Sequence, residues 1–169
     1  MAKGRSDQTV IEYRSVYKSF DLPVLAGVTL SVRQGEIVAI VGPSGTGKSV
    51  LLKTTIGLIV PDHGDVLVEG ESVYHGHRGI LREVRKMVGY VFQNAALFDS
   101  MTVFENVAFG LGDGEAKQIG REEVLRRVVK ALEDVNLDPP VVLRKLPAEL
   151  SGGMRKRVGL ARAIVGEPD

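Results

Sequence analysis

The feature that most constrains this chain is a glycine-rich stretch, Gly42-Pro43-Ser44-Gly45-Thr46-Gly47-Lys48-Ser49. It matches G-x-x-x-x-G-K-[ST] in full, and the residues on either side suit it. Before it, Glu36-Ile37-Val38-Ala39-Ile40-Val41 is a nearly continuous apolar run, the pattern of a strand buried on both faces of a parallel sheet. After it, Ser49 to Gly57 has the apolar spacing of a short helix ending at glycine. Gly42, Gly45 and Gly47 allow backbone dihedrals and close approaches that side chains block. Successive N–H groups can then converge on phosphate oxygens. A helix starting near Lys48 adds its positive end, worth up to ~2 kcal/mol in a favourable site. In such a loop the lysine meets the β- and γ-phosphates and the serine ligates Mg²⁺, which makes Lys48 and Ser49 the candidates here. A glycine-rich turn with an incidental lysine is the bland alternative, and the agreement of motif with context speaks against it. Taken alone, the loop leaves kinases, GTPases and many ATPases open.

The remaining pattern predicts a mixed α/β chain. Val10 to Val16 and Val28 to Arg33 read as strands, with Gln34-Gly35 as the turn after the second. Pro61-Asp62-His63-Gly64 is turn chemistry, and Asp65 to Gly70 alternates like another strand. Ile80 to Lys86 reads as helix, and Met87 to Phe92 returns to strand. From Ala95 onward the character is helical. Arg121 to Val135 places Val124, Val128, Ala131, Leu132 and Val135 at helical spacing, with Glu122 and Glu123 in its first turn. Leu137-Asp138-Pro139-Pro140 ends it, and Ser151 to Val165 is the last predicted helix.

Net charge narrows the partners. With 22 basic and 21 acidic residues the formal charge is +1, so no bulk attraction to nucleic acid or an anionic membrane is indicated. The Arg155-Lys156-Arg157 run reads as a solvated or interface-facing set rather than a nucleic-acid patch. Cysteine is absent, which removes disulfides and thiolate metal sites. His75-Gly76-His77 lacks a supporting cluster for a metal. Asp62, Asp65, Glu69 and Glu71 form no acid/base pair. Met1 to Gln8 is polar, and no run approaches the roughly 20 apolar residues that span a bilayer. Direct membrane insertion is not expected; a membrane connection is expected to come through a partner.

A second motif, Leu150-Ser151-Gly152-Gly153-Met154, narrows the choice left by the phosphate loop. Ser151 is a good N-cap, and Gly152-Gly153 leaves N–H groups bare at a helix start. The helix behind it has Met154, Val158, Ala161 and Ile164 on one face. A capped helix that happens to use two glycines is the plain reading of this segment by itself. Beside a phosphate loop it becomes a second anion-binding terminus.

With these two motifs the sequence resembles the ABC ATPase family, whose signature reads L-S-G-G. The resemblance covers essentially the whole chain. Gly42 to Ser49 corresponds to the Walker A loop and Leu150 to Gly153 to the signature. Gln93, in Tyr90-Val91-Phe92-Gln93, matches the Q-loop glutamine that helps ligate Mg²⁺ and senses the membrane partner. Phe20 matches the aromatic that stacks on adenine, although an aromatic there could equally be core. The resemblance implies a P-loop NTPase fold: a RecA-like core with an antiparallel β subdomain over about 1–94, and an α-helical subdomain with the signature over about 95–165. It also implies ATP and Mg²⁺ as ligands. Two such domains pair head to tail, here expected as a homodimer, with each ATP capped by Ser151, Gly152 and Gly153 of the other copy. Hydrolysis then opens the pair and moves an integral membrane permease, which would place the protein at the inner face of the cell membrane.

Gln93 to Val107, together with Ser151 to Arg157, is most similar to ATPases of Mce/Mla-type lipid transport systems. The implied role is to energise phospholipid or other lipid transport; a polar-solute importer, for amino acids for example, is the second reading. In the family, the Walker B aspartate and the catalytic glutamate lie beyond the position of Asp169. No catalytic residue is therefore assigned in this chain, and the 1–169 polypeptide is expected to bind nucleotide weakly and to hydrolyse it poorly. A missing general base costs on the order of 10²–10⁴ in rate. A nucleotide-binding fragment without turnover, with an open sheet edge prone to aggregation, is the alternative for this chain taken literally.

Overall fold

The computed structural model describes residues 8–168, which divide into two compact units at Arg85/Lys86. In the first unit, β1 (Thr9–Ser19) and β2 (Pro23–Arg33) form a long antiparallel hairpin. β3 (His63–Val68) pairs antiparallel with the other edge of β1, and the short β4 (Glu71–Ser72) pairs with β3. The sheet order is β2-β1-β3-β4. β1 is central, so its inward residues Tyr13 and Val16 are buried. The register shifts between Tyr13 and Val16, where Ser15 takes a left-handed φ of 46° and its N–H is bonded to Thr29 Oγ1 at 3.0 Å. That local bond stands in for a ladder bond at the bulge.

Helix α1 (Lys48–Thr55) packs on this sheet through Leu51, Thr54 and Thr55. The Tyr13 hydroxyl and Thr55 Oγ1 are 2.6 Å apart, joining β1 to α1 inside the core, and burial pushes the Tyr13 phenol above its usual range. The Tyr74 hydroxyl faces the carbonyls of Thr54 and Ile59, and Arg85 Nε donates to Ile56 O at 2.9 Å. These bonds take up orphan carbonyls at the end of α1. Asp62 accepts from Lys18 Nζ at 2.6 Å and from the Ser19 N–H at 2.7 Å. The lysine bond first, then the backbone bond, holds its carboxyl below the usual range. The aspartate pins the β1–β2 turn, a structural task. Helix α2 (Ile80–Met87) runs across the division between the units.

The second unit is helical. Helix α3 (Val103–Ala108) opens with a capping box between Thr102 and Glu105. A 3₁₀ turn over Phe109–Leu111 and α4 (Gly112–Ile119) follow. α5 (Arg121–Asp134) and α6 (Pro139–Val142) precede a second 3₁₀ turn, Pro147–Glu149, and α7 (Gly152–Ile164) closes the unit. All five apolar positions expected on the buried face of α5 and its end, from Val124 to Val135, are buried. They pack with Val103, Val107, Val158 and Ala161 in one apolar cluster.

Two expected strands are corrected. Glu36–Val41 and Met87–Phe92 carry no strand pairing, and among the described residues no ladder includes them. Ile37 is 98% exposed and Val41 88%, the reverse of a strand covered on both faces. An apolar run acquires strand geometry only through hydrogen-bonded neighbours on its edges, and the sheet of this chain is built wholly from other segments. His63–Val68 also begins earlier than the alternation suggested, because His63 pairs with Tyr17 across the bulge.

Candidate functional site

In the first unit, the glycine-rich loop leads from Val41 into α1. Gly45 and Gly47 have φ of 84° and 87°, a region in which a side chain is strained. Gly47 also has no room for one: a Cβ there would lie 2.9 Å from both Val24 Cγ1 and the Val24 carbonyl. This contact seats the loop on β2. Gly47 is the N-cap of α1, no side chain caps the helix, and no acidic residue lies in the first turn. No side chain therefore covers the N–H groups at this helix start. Lys48 Nζ lies against the loop, donating to Gly42 O at 2.9 Å and Pro43 O at 2.6 Å. Thr46 Oγ1 donates to Pro43 O at 2.9 Å, which tightens the same turn. Pro43, Ser44 and Ser49 are exposed. The loop therefore combines bare N–H donors, one ammonium and a serine hydroxyl at a solvent-open helix start.

Phe20 sits in the β1–β2 turn and is 59% exposed, with Lys18 Nζ 5.5 Å from its ring centroid. Phe20 is thus an exposed residue rather than part of the core of the first unit.

The second unit holds the other candidates. Gln93 is exposed in a turn closed by the Ala95 N–H bonding to Phe92 O at 3.0 Å. Ser151 caps α7, its Oγ accepting from the Met154 N–H at 3.2 Å. Gly153 has open space where a Cβ would be, and at Gly152 the nearest atom is Arg155 Nη2 at 3.9 Å. No acidic residue occupies the first turn of α7. Arg155 turns back to the Leu150 carbonyl at 2.6 Å, and Arg157 reaches the Asn136 carbonyl at 2.8 Å. These two cations finish backbone groups of their own unit, which accounts for part of the basic run. The helix start itself stays uncluttered.

One arrangement was not read from the sequence. Ala95 and Ala96 both take left-handed φ, 60° and 47°, a conformation that costs of order 1–3 kcal/mol per non-glycine residue. Arg162, on the last turn of α7, donates from Nη2 to Ala95 O at 2.5 Å and from Nη1 to Ala96 O at 2.8 Å. Burial pulls its guanidinium below the usual range. On the other side of the same loop, the buried Asn106 accepts from the Phe98 N–H at 2.8 Å and donates to Met101 O at 2.9 Å. No sequence signal marks alanine as left-handed, so only the fold could reveal this clamp.

Comparisons with known proteins agree with this layout. The family model described as ABC transporter matches residues 25–169. The sulfate/thiosulfate import ATP-binding protein CysA of Methylococcus capsulatus is 46% identical over 160 residues, 94% of this chain and 44% of that protein. The chloroplastic protein Trigalactosyldiacylglycerol 3 of Arabidopsis thaliana is 44% identical over 160 residues, 92% of this chain and 44% of the relative. This chain thus spans under half the length of these curated relatives. Among solved structures, a dimeric ATP-binding cassette in a post-hydrolysis state bound to ADP and Pi superposes with a TM-score of 0.85 at 30% identity, covering 94% of this chain and 70% of the other. The cassette cbiO1 of Clostridium perfringens, part of the complex cbiONQ, gives a TM-score of 0.78 at 26% identity, with 96% and 63% covered.

Proposed function

We propose that this chain, which belongs to the ABC transporter family and has its P-loop NTPase fold, serves as an ATP-binding subunit that powers lipid transport through a separate membrane permease. The observation that carries the nucleotide reading is the pair of uncapped or serine-capped helix starts, Gly47–Ser49 and Ser151–Gly153, each bare of acidic side chains. A triphosphate is the anion that such a loop, with Lys48 against it, is built to accept. The N–H groups over 44–48 would hold the phosphate oxygens, Lys48 would exchange the Gly42 and Pro43 carbonyls for the β- and γ-phosphates, and Phe20 would stack on the base. The hydroxyl of Ser49 and the amide oxygen of Gln93 are hard donors of the kind Mg²⁺ takes. The ion would neutralise phosphate charge there.

In this reading Ser151, Gly152 and Gly153 cap the nucleotide held by a second copy, so that two copies close head to tail around ATP. The superposition on a cassette solved as a dimer supports this arrangement. The chain is then an ATP-binding domain whose phosphate-loop part, about 1–94, and signature part, about 95–165, act on different nucleotides.

The test separates binding from pairing. In the full-length protein, Lys48→Ala should weaken nucleotide binding roughly 10- to 150-fold and lower turnover with it. Ser151→Asp still caps α7 but sets a negative charge where the partner's phosphate would sit. It should leave nucleotide affinity and thermal stability near wild type while ATP-driven dimerisation, followed by light scattering, disappears. Dimerisation that survives Ser151→Asp removes the clamp from the proposal.

For the cargo, the lipid reading draws on the likeness of 93–107 and 151–157 to Mce/Mla-type ATPases and on the relative named for a galactosyl diacylglycerol. A polar-anion importer is favoured instead by the sulfate/thiosulfate relative at 46% identity. Mass spectrometry of lipids that co-purify with the intact transporter, alongside ATPase stimulation by sulfate, decides between them. Sulfate stimulation without bound lipid overturns the lipid assignment.

A further inference from the structure

The loop that follows Gln93 and the helix that starts at Ser151 are joined by one side chain. Ala95 is buried and lies over Gly159 of α7, where an added Cβ would come within 2.9 Å of Ala95 Cβ and 3.1 Å of its Cα. The carbonyls of two successive left-handed residues, Ala95 and Ala96, both accept from the Arg162 fork. A guanidinium meets two acceptors with fixed spacing, which an ammonium cannot do. The Phe98 ring, 6.0 Å from Arg162, and the bonds from Asn106 hold the far end of the loop. Arg162 lies on the helix that Ser151 caps, about 16 Å along its axis from Ser151 at the usual rise per residue. A helix of this length transmits a displacement without bending much, because its backbone bonds and its packing in the core resist it.

We propose that Arg162 is a positioning residue that latches the Gln93 loop to α7, so that movement of Gln93 carries the Ser151–Gly153 helix start with it. This rests on the reading of Gln93 as a ligand near the nucleotide and of the α7 start as its cap. The left-handed alanines are then a spring-loaded contact: without the guanidinium, both residues relax to ordinary dihedrals and the loop slips from Gly159. The Ser151–Gly153 helix start would then no longer follow the Gln93 loop.

The experiment uses the full-length protein with Arg162→Ala, Arg162→Lys and Gln93→Ala, each followed by ATPase kinetics, ATP-driven dimerisation and thermal melting. For both Arg162 variants kcat should fall about 10- to 100-fold, the usual cost of a small misplacement, with KM for ATP within about threefold of wild type. Arg162→Lys should keep its melting temperature close to wild type while failing to restore kcat, a split that a purely structural role does not produce. If Arg162→Ala does not fold, Arg162→Lys decides alone: wild-type kcat overturns the proposal, and so does a loss that tracks the folded fraction. A lowered kcat in Gln93→Ala beside an untouched Arg162→Lys overturns the latch and leaves the Gln93 reading standing. Wild-type turnover in Gln93→Ala removes that reading and the latch with it.

Discussion

Gly47 shows how one residue can serve both fold and site. Its φ of 87° and its contact with Val24 forbid a side chain for two separate reasons. Gly47→Ala should therefore destabilise the first unit by about 1–3 kcal/mol and weaken nucleotide binding, seen as a lower melting temperature and a higher dissociation constant by calorimetry. Lys48→Ala should instead leave the melting temperature nearly unchanged. It should cost about 1.5–3 kcal/mol of binding, the worth of charge-assisted bonds, or roughly 10- to 150-fold in affinity. Glu123 offers a pH signature. Hydrogen bonds from Arg126, then Arg127, lower its carboxyl from 4.5 to about 2. A carboxyl lowered on folding stabilises the native state fully above its unfolded value and loses that contribution as pH falls towards the folded one. The melting-temperature gap between wild type and Glu123→Gln should thus be constant above pH 4.5 and close between about pH 4.5 and about 2. A gap that widens on acidification contradicts the pairing.

At the scale of elements, short helices here depend on their ends. α3 has few residues, yet Thr102 and Glu105 satisfy each other's backbone N–H groups, with Thr102 N donating to Glu105 Oε2 at 2.7 Å. That backbone bond, then the Thr102 hydroxyl, lowers the Glu105 carboxyl. Asn106 extends the same economy inward. It is fully buried, and its amide bonds Phe98, Met101 and Thr102. Asn106→Ala strips several buried backbone groups of their partner, each worth about 1–3 kcal/mol. Loss of cooperative unfolding in the second unit, or a ΔΔG of at least about 2 kcal/mol by urea titration, is expected; a change under about 0.5 kcal/mol means water replaces the amide. Ser151→Ala should cost only about 1 kcal/mol, since α7 is also anchored by Val158 and Ala161.

For the whole molecule, the most consequential surface is the segment expected to be most buried. Ile37 and Val41 are almost fully exposed, and Val91 and Phe92 are exposed as well. Within the first unit, the exposed apolar residues at 37–41, of β-rich composition, are a site for self-association. A polypeptide of residues 1–169 should therefore oligomerise with concentration, and Ile37→Lys should reduce its light scattering without changing the melting temperature. Scattering that is indifferent to Ile37→Lys moves the sticky surface elsewhere.

Much of this protein was legible one residue at a time. The glycine-rich turn is a local device, so its left-handed Gly45 and Gly47 and the helix starting at Lys48 were legible from the spacing of Gly42 to Ser49. The same holds for the serine cap at Ser151 and the buried stripe of α5, because 3.6-residue periodicity and helix termini are short-range properties. Strands were different: Val10 to Val16 found partners in β2 and β3, while the more apolar Glu36 to Val41 found none, since a ladder depends on distant segments that apolarity alone does not name. The Arg162 clamp lay furthest from view. The left-handed Ala95 and Ala96 turn their carbonyls to Arg162, 67 and 66 residues away, and contacts across that separation exist only in the folded chain.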